Sequence, residues 1–287
     1  MFANKVLRHS QTKQDPPFLT GLNSLTWLRY PKIRGLTKHH GVKVHTFGDL
    51  TKMKFRDFRQ YFSSARISRY LTATGNNTAR AAKLYKANLK VTQAFHPLLG
   101  IVEVVVRNRI NDILTAHFTD PDWVINQKTG FMIDPSLVYI QKKTNKKIRN
   151  EFLKNEVEKA ERRLRKSGAA ITSGRVIAEQ TLGFWTDLFE VHHYRLLAGK
   201  PIQIFSYLPS RHGRKEVNDE LNKIRRFRNR INHNEPICFN GNNIDFTTAT
   251  DVYNSIISIL NWIDPALLKY AKDVDKVQRT INQALKI

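Results

Sequence analysis

The spacing of apolar residues predicts helices along most of the chain. From about residue 46 these residues recur every three or four positions, as in amphipathic helices, and convincing period-two strand patterns are absent. We therefore predict an all-α fold in which the helices pack around one core. The predicted helices cover residues 47–62, 64–73, 79–95, 97–118, 137–166, 215–233, 252–262 and 266–286, with one or two more in 175–197.

Capping and helix-breaking residues set several of these boundaries. Asn77 is predicted to cap the helix that follows it, and Asp264 with Pro265 is a typical helix start. Pro97 is predicted to end or kink a helix, because a proline inside a helix removes a backbone hydrogen bond. Ser136 is predicted to open a long charged helix that extends to residue 166.

The first 45 residues differ from the rest of the chain. They contain three prolines and three glycines among scattered lysines and arginines, with little periodicity. Proline and glycine interrupt regular structure, so we predict an irregular basic arm here. The chain is thus divided into a basic N-terminal arm, 1–45, and a helical domain, 46–287, in which residues 119–135 form a loop.

The net charge indicates a polyanionic partner. Lys and Arg number 48 against 24 Asp and Glu, which gives a formal charge of +24. Such a field attracts a phosphate backbone through counterion release, so nucleic acid is the first expected partner and an anionic membrane surface the second. We assign predicted RNA contacts to cations in two charged helices: Lys142, Lys143, Lys146, Lys147, Arg149, Arg225, Arg226 and Arg230.

Secretion, a membrane span and a disulfide receive little support. The N-terminus lacks an apolar secretory run, and the most apolar stretch, LLGIVEVVV, is too short to span a bilayer. Cys238 is the single cysteine, so no intrachain disulfide can form, which suits a reducing compartment. We expect a cytosolic protein without a membrane partner.

The pentapeptide RNRIN occurs twice, at Arg107–Asn111 and at Arg228–Asn232. The first copy lies in a segment that is apolar on nearly all sides, which predicts a central, buried helix. Glu103 and Arg107 are four residues apart, so we expect an ion pair along that helix. Asp112 follows this copy, and an aspartate is a poor proton shuttle at neutral pH. We therefore interpret the first copy as structural.

The second copy combines an inward-facing arginine with a histidine. Arg228 lies inside the apolar arc of its helix, whereas Arg226 and Arg230 lie on the opposite face. An inward-facing arginine needs an anion or a carboxylate, and Glu103 would supply one if the two helices packed side by side. His233 follows five residues after Arg228, close to the end of the helix.

Arginine and histidine together are sufficient for one metal-free reaction of RNA. When a 2′-OH attacks the adjacent phosphate, one group must move protons near neutral pH and a cation must stabilise charge on the phosphorane. His233 supplies the first and Arg228 the second. Asn229 is four residues before His233 on the same face, where it can hold the imidazole or a phosphate oxygen.

The wider context of the second copy resembles a known family. RFRNRINHNEPI is similar to the Arg-x4–6-His motif of HEPN ribonucleases, and more narrowly to the Abi-like proteins (Abi-D/Abi-F type) of bacterial abortive infection. ARISRYL, LYKAN and EVVVRN match that family's Arg-x-x-x-Tyr, Leu-Tyr-x-x-Asn and Glu-x-x-x-Arg-Asn patterns, and TDPDW and GFW match as well. The resemblance covers roughly residues 46–262, without the arm and the final helix.

The resemblance implies a HEPN-like helical bundle that cleaves RNA without a metal ion or cofactor. The products would carry a 2′,3′-cyclic phosphate and a 5′-OH. The resemblance assigns the catalytic role to Arg228, Asn229 and His233. We assign supporting positions to residues of the first copy and its flank: Glu103, Arg107 and Asn108.

The same resemblance implies a biological setting. It indicates a toxin-like role in antiviral defence in the bacterial cytoplasm, with a cognate small noncoding RNA as a partner. It also implies a homodimer in which two motifs line one cleft. Such a dimer addresses a geometric difficulty, because Arg228 and His233 point about 140° apart on an ideal helix.

Other polar and aromatic residues receive structural interpretations. Glu190, His192 and His193 are interpreted as part of a surface face, and the histidines of the arm as solvated, so no metal site is predicted. Phe184 and Trp185 are predicted to lie in the core rather than to stack on bases.

Two alternatives to a nuclease stay open. The first is a catalytically silent RNA-binding protein that uses the same basic surface as a scaffold in a defence ribonucleoprotein. The second is a DNA-binding regulator, which lacks the support of a helix-turn-helix pattern. Cleavage of labelled RNA in EDTA separates the nuclease from the scaffold, and a preference for duplex DNA over RNA at fixed salt would support the regulator.

Overall fold

Helices account for most of the residues that the computed structural model describes, 53–287, so the predicted all-α fold class is confirmed. The predicted arm, 1–45, and the start of the helix predicted over 47–62 lie outside the described residues. The α-helices are α1 (Phe55–Phe62), α2 (Ser64–Ala73), α3 (Thr78–Phe118), α4 (Trp123–Asn126), α5 (Phe152–Lys166), α6 (Ser173–Glu179), α7 (Leu182–Asp187), α8 (Val191–Leu196), α9 (Arg214–Asn232), α10 (Thr247–Ile263), α11 (Pro265–Ala271) and α12 (Val277–Ala284).

The long helix α3 is the central element of the described unit. It begins at the predicted cap, where the Asn77 Oδ1 accepts a hydrogen bond from the Arg80 backbone N–H at 3.0 Å. It ends at Thr119, whose positive φ of 51° breaks the helical path. Helices α2, α9, α10 and α12 pack against α3. The core therefore forms around α3, and the two RNRIN copies lie on packed helices.

Pro97 was predicted to end or kink a helix, and no helix ends there. Residues on both sides of it belong to the same 41-residue helix. A proline inside a helix costs roughly 3 kcal/mol, but burying one large apolar side chain offsets about 1.5 to 3 kcal/mol. Phe95, Leu98 and Leu99 are all buried next to Pro97. Packing thus holds the helix together through the proline.

The prediction of a long charged helix from Ser136 is wrong for its first half. Strands β1 (Val138–Gln141) and β2 (Lys146–Arg149) form an antiparallel hairpin there, and α5 begins only at Phe152. Valine, tyrosine and isoleucine favour strands, and Asn145 takes the left-handed conformation, φ 53°, that the turn requires. The prediction that strands are absent is therefore wrong. A second hairpin joins β3 (Phe239–Asn240) and β4 (Asn243–Ile244).

The segment 119–135, predicted to be a loop, contains the short helix α4. Other shorter predictions differ in where the helices break. Residues 175–197 contain parts of three short helices, α6, α7 and α8, rather than one or two, and the final predicted helix divides into α11 and α12. The predicted cap Asp264 is confirmed, because its Oδ1 accepts from the Ala266 backbone N–H at 2.8 Å. Phe184 and Trp185 are fully buried, as predicted for core residues.

Candidate active site

Helix α9 presents the second RNRIN copy at its C-terminal end. Its first turn is fixed by Glu216, whose carboxylate accepts a hydrogen bond from the Gly213 backbone N–H at 2.9 Å. The predicted apolar stripe is buried, from Val217 to Ile231. His233 terminates the helix, and Asn234 follows it with a positive φ of 53°. The motif therefore lies where a buried helix turns into a loop.

Arg228 makes an ion pair with the central helix. Its Nη2 lies 3.3 Å from Oε2 of Glu103 on α3, and both side chains are about three-quarters buried. The suggestion that Glu103 reaches Arg228 if the helices pack side by side is thus confirmed. An arginine has five N–H donors, and this contact uses one of them. Arg228 is therefore held in place, and its other side-chain donors have no hydrogen-bond partner among residues 53–287.

The expected pair between Glu103 and Arg107 is not formed. Arg107 instead donates from Nε to the Asn108 Oδ1 at 3.3 Å, and Arg107 is only partly buried. The helix is also less enclosed around the first copy than predicted, because Val104 and Asn108 are exposed. Of the three supporting residues predicted from sequence, Glu103 is the one that forms a hydrogen bond or ion pair with the second copy within residues 53–287.

His233 and Asn229 are exposed at the end of α9. Their connection is a backbone bond in which the His233 N–H donates to the Asn229 carbonyl at 3.0 Å. The predicted side-chain contact between Asn229 and the imidazole is not among the hydrogen bonds of residues 53–287. Within one chain, then, the imidazole is open to solvent, while Arg228 is turned towards Glu103.

Two arginines of α2 hold the loop that follows His233. Arg66 donates to the Asn234 carbonyl at 2.6 Å, and Arg69 donates to the Gly241 carbonyl at 2.8 Å. The Arg69 guanidinium also lies 4.6 Å from the centre of the Phe239 ring. These contacts join residues more than 160 positions apart. Neither arginine was predicted as a site residue from the sequence.

A buried asparagine of α3 fixes the next part of the same loop. The Asn88 side-chain oxygen accepts from the Ile237 backbone N–H at 2.9 Å, and Asn88 is buried. Asn88 is the last residue of the segment LYKAN. Arg66, Asn88 and Glu103 therefore share a physical role, since each contacts α9 or the loop after it.

Tyr70 of α2 and Cys238 of this loop lie together, and both are buried. Burial raises the pKa of the Tyr70 hydroxyl, and it raises the pKa of the Cys238 thiol to about 12. Because a thiolate is the reactive form of cysteine, a buried, protonated thiol is inert. The single cysteine is therefore a packing residue of the loop and takes no part in the chemistry of the site.

The cations predicted to bind RNA fall into two groups. The five from Lys142 to Arg149 are exposed, but they lie on the β1–β2 hairpin and not on a helix. On α9, Arg226 is exposed, whereas Arg225 donates to Asn222 at 2.8 Å. Arg230 donates to the Pro236 carbonyl and pairs with Glu235 at 3.4 Å, so it closes the loop after the helix. Arg230 thus has a structural partner that the sequence did not predict.

The interpretation of His193 as a surface residue is wrong. It is fully buried, and its Nδ1 lies 2.7 Å from Oδ2 of Asp187. His192 lies beside it with its Nε2 2.8 Å from the Asn150 amide nitrogen, and burial, followed by the neighbouring His193, lowers the pKa of His192. Asp187, His192 and His193 are the one group in residues 53–287 whose donor atoms are close enough to hold a metal ion.

No protein-family model, curated protein or solved structure matches this chain. By length and composition, α3 is the one helix in the described part of the chain that could cross a membrane. The continuation of α3 through Pro97 makes it longer than the apolar stretch considered in the sequence. Its most apolar 18-residue window is 44% buried inside the fold.

Proposed function

We propose that this protein is a metal-independent HEPN endoribonuclease of the Abi-like type, which acts as a toxin in abortive infection in the bacterial cytoplasm. The observation that carries the proposal is the end of α9. There, Glu103 anchors Arg228 across two helices, while His233 stays exposed five residues further on. This arrangement pairs a fixed cation with an accessible proton carrier, which in-line cleavage of RNA requires.

The reaction would proceed by attack of a 2′-OH on the adjacent phosphate. His233 moves protons between the attacking or leaving oxygen and solvent, and a free N–H of Arg228 stabilises charge on the phosphorane. Asn229 is exposed on the same helical turn and binds a phosphate oxygen. Because Arg228 and His233 point in different directions, two chains related by a dimer axis would supply a complete site. A cognate small noncoding RNA would hold the activity in check.

Cleavage of labelled RNA in EDTA tests the enzyme directly. The purified chain is expected to produce 2′,3′-cyclic phosphate and 5′-OH ends, and His233→Ala is expected to slow cleavage by about 100- to 10,000-fold. His96→Ala is the matched control, because His96 is also exposed but lies in the middle of α3. Equal rates for wild type and His233→Ala would contradict the proposal.

A silent RNA-binding scaffold is the second candidate function. The exposed lysines of the β1–β2 hairpin favour it, since RNA binding through these residues does not require a catalytic histidine. Tight RNA binding by the wild-type chain without any cleavage in the same experiment would select this alternative.

A further inference from the structure

The β1–β2 hairpin exposes three consecutive apolar side chains. Val138, Tyr139 and Ile140 are 42%, 50% and 58% exposed. The base of the hairpin is anchored, because Leu137 is buried and its carbonyl accepts from the Asn150 backbone N–H at 2.9 Å. An anchored strand that keeps its apolar residues in water is typical of a binding surface.

The charges of the hairpin are largely uncompensated, unlike those of the helix that follows. In α5, five cations pair with glutamates: Lys154, Lys159, Arg162, Arg163 and Arg165. By contrast, the hairpin lysines form no ion pair with any residue in 53–287: Lys142, Lys143, Lys146 and Lys147. The nearest carboxylate contact is between Arg149 and Glu151, at 4.0 Å. The hairpin therefore presents net positive charge to a partner.

The register places cations and apolar groups on the same faces of the hairpin. Ile140 is paired with Lys147, so these two side chains share one face. Tyr139 is paired with Ile148 on the opposite face of the hairpin. Lys146 lies two positions before Ile148 and therefore shares that face. A ligand on either face of the hairpin therefore contacts an apolar side chain of β1 and a neighbouring lysine of β2.

We propose that the hairpin binds a single-stranded segment of RNA, with the Tyr139 ring stacked on a base and the lysines on its phosphates. Proteins bind single-stranded nucleic acids with aromatic side chains that stack on the bases and with nearby cations that contact the phosphates. This combination accepts any sequence, because every base has a π-face and every nucleotide carries a phosphate charge. A duplex of RNA hides its base faces, and its major groove is too narrow for side chains to read. The choice of RNA rests on the proposed function; the contact itself needs no cleavage.

Fluorescence anisotropy with a labelled single-stranded RNA tests this contact in the His233→Ala chain, where cleavage cannot interfere. Tyr139→Ala is expected to weaken binding by about 5- to 100-fold, and Tyr139→Trp to restore it. Lys146→Gln with Lys147→Gln is expected to lower the slope of log affinity against log salt by about 1.4, since each phosphate contact to a single strand contributes about 0.7.

Helix α11 offers a matched control for both changes. Tyr270 is 74% exposed, and Lys269 and Lys272 are exposed on either side of it. Tyr270→Ala, and Lys269→Gln with Lys272→Gln, remove the same groups and the same charge at a different place. These variants are expected to leave RNA affinity and its salt slope unchanged. Equal losses at the two places would overturn the proposal, because the effect would then come from net charge alone.

Two further ligands complete the test. A duplex RNA of the same sequence is expected to bind more weakly and to be insensitive to Tyr139→Ala. Vesicles that contain phosphatidylserine are expected to show no dependence on Tyr139. If Tyr139→Ala weakened duplex binding as much as single-strand binding, the proposed preference for single strands would be wrong. If vesicle binding depended on Tyr139 and RNA binding did not, the partner of the hairpin would be an anionic membrane surface. If the wild-type chain cleaved RNA but RNA binding did not depend on the hairpin residues, the hairpin proposal would be wrong and the proposed nuclease function would be unaffected.

Discussion

The two RNRIN copies have the same five residues and contribute differently to the molecule. Both bury the isoleucine at their fourth position, Ile110 and Ile231. In the first copy, the polar side chains are used locally: Arg107 donates to Asn108, and Asn111 accepts from the Trp123 indole N–H at 3.0 Å.

In the second copy, one polar side chain joins parts of the chain that are 125 positions apart. Arg228 reaches α3, and Arg230 closes the loop after the helix. The first copy lies inside α3, which continues beyond it to Phe118, whereas the second lies at a helix end that is followed by a braced loop. The two sets of contacts differ together with the position of each copy: inside α3 in one case and at the C-terminal end of α9 in the other.

The largest expected difference concerns the first arginine of each copy. Arg228→Ala is expected to lower the cleavage rate by about 100- to 1,000-fold, as for the loss of a donor to a developing oxyanion. Arg107→Ala is expected to change the rate by less than about threefold, because its side-chain partner within residues 53–287 is the adjacent Asn108. Single-turnover cleavage of the same RNA measures both. Similar losses for the two variants would mean that both copies participate in the reaction.

The last asparagine of each copy is expected to differ in stability. Asn111→Ala removes the partner of the buried Trp123 indole, which costs about 1 to 3 kcal/mol of the free energy of unfolding. Asn232 is exposed, so Asn232→Ala is expected to cost less than about 0.5 kcal/mol. Urea unfolding followed by tryptophan fluorescence compares them. The distinction fails if Asn232→Ala proves the more destabilising variant.

The pair between Glu103 and Arg228 is expected to matter more for rate than for stability. Glu103→Gln keeps the shape of the side chain but removes its charge, and a partly exposed ion pair is worth about 0 to 1 kcal/mol. We expect unfolding to change by no more than that, and the cleavage rate to fall by roughly tenfold as Arg228 loses its fixed position. Glu151→Gln, which removes a partly exposed pair elsewhere, is the control. An unchanged rate would show that Glu103 has no positioning role.

The smallest expected effect reports on the loop after the second copy. The Cys238 thiol is buried and its pKa is raised to about 12, so native protein is expected to resist alkylation at neutral pH. Arg66→Ala removes one exposed contact to the loop and is expected to speed alkylation by a few-fold, by roughly 0.5 to 1.5 kcal/mol of easier opening. Mass spectrometry after timed iodoacetamide treatment measures this rate. Rapid alkylation of the wild type would contradict a closed loop.

Local rules predicted the helical class, the caps Asn77 and Asp264, and the buried stripe of α9, because these depend on neighbouring residues. They failed at Pro97, where packing against the core outweighs the local cost. They also failed between Ser136 and Arg149, where a lysine-rich segment that suits a helix folds as a hairpin around Asn145.

The contacts of the candidate site divide into local and distant ones in the same way. The spacing of Arg228 and His233 is local, so it can be read directly from the sequence. The bonds from Arg66 and Asn88 to the loop join positions 168 and 149 residues apart, and no pattern of neighbouring residues encodes them. The burial of His193 against Asp187 likewise depends on how α7 and α8 pack.

The contact between Glu103 and Arg228 also sets the rotation of α9 about its own axis. Each residue of an α-helix advances by about 100°, so a single insertion in α9 ahead of Arg228 would turn the guanidinium away from α3 and move the apolar stripe with it. Loops elsewhere can change length without this consequence. The segment between Val217 and His233 is therefore expected to tolerate substitutions far better than insertions or deletions.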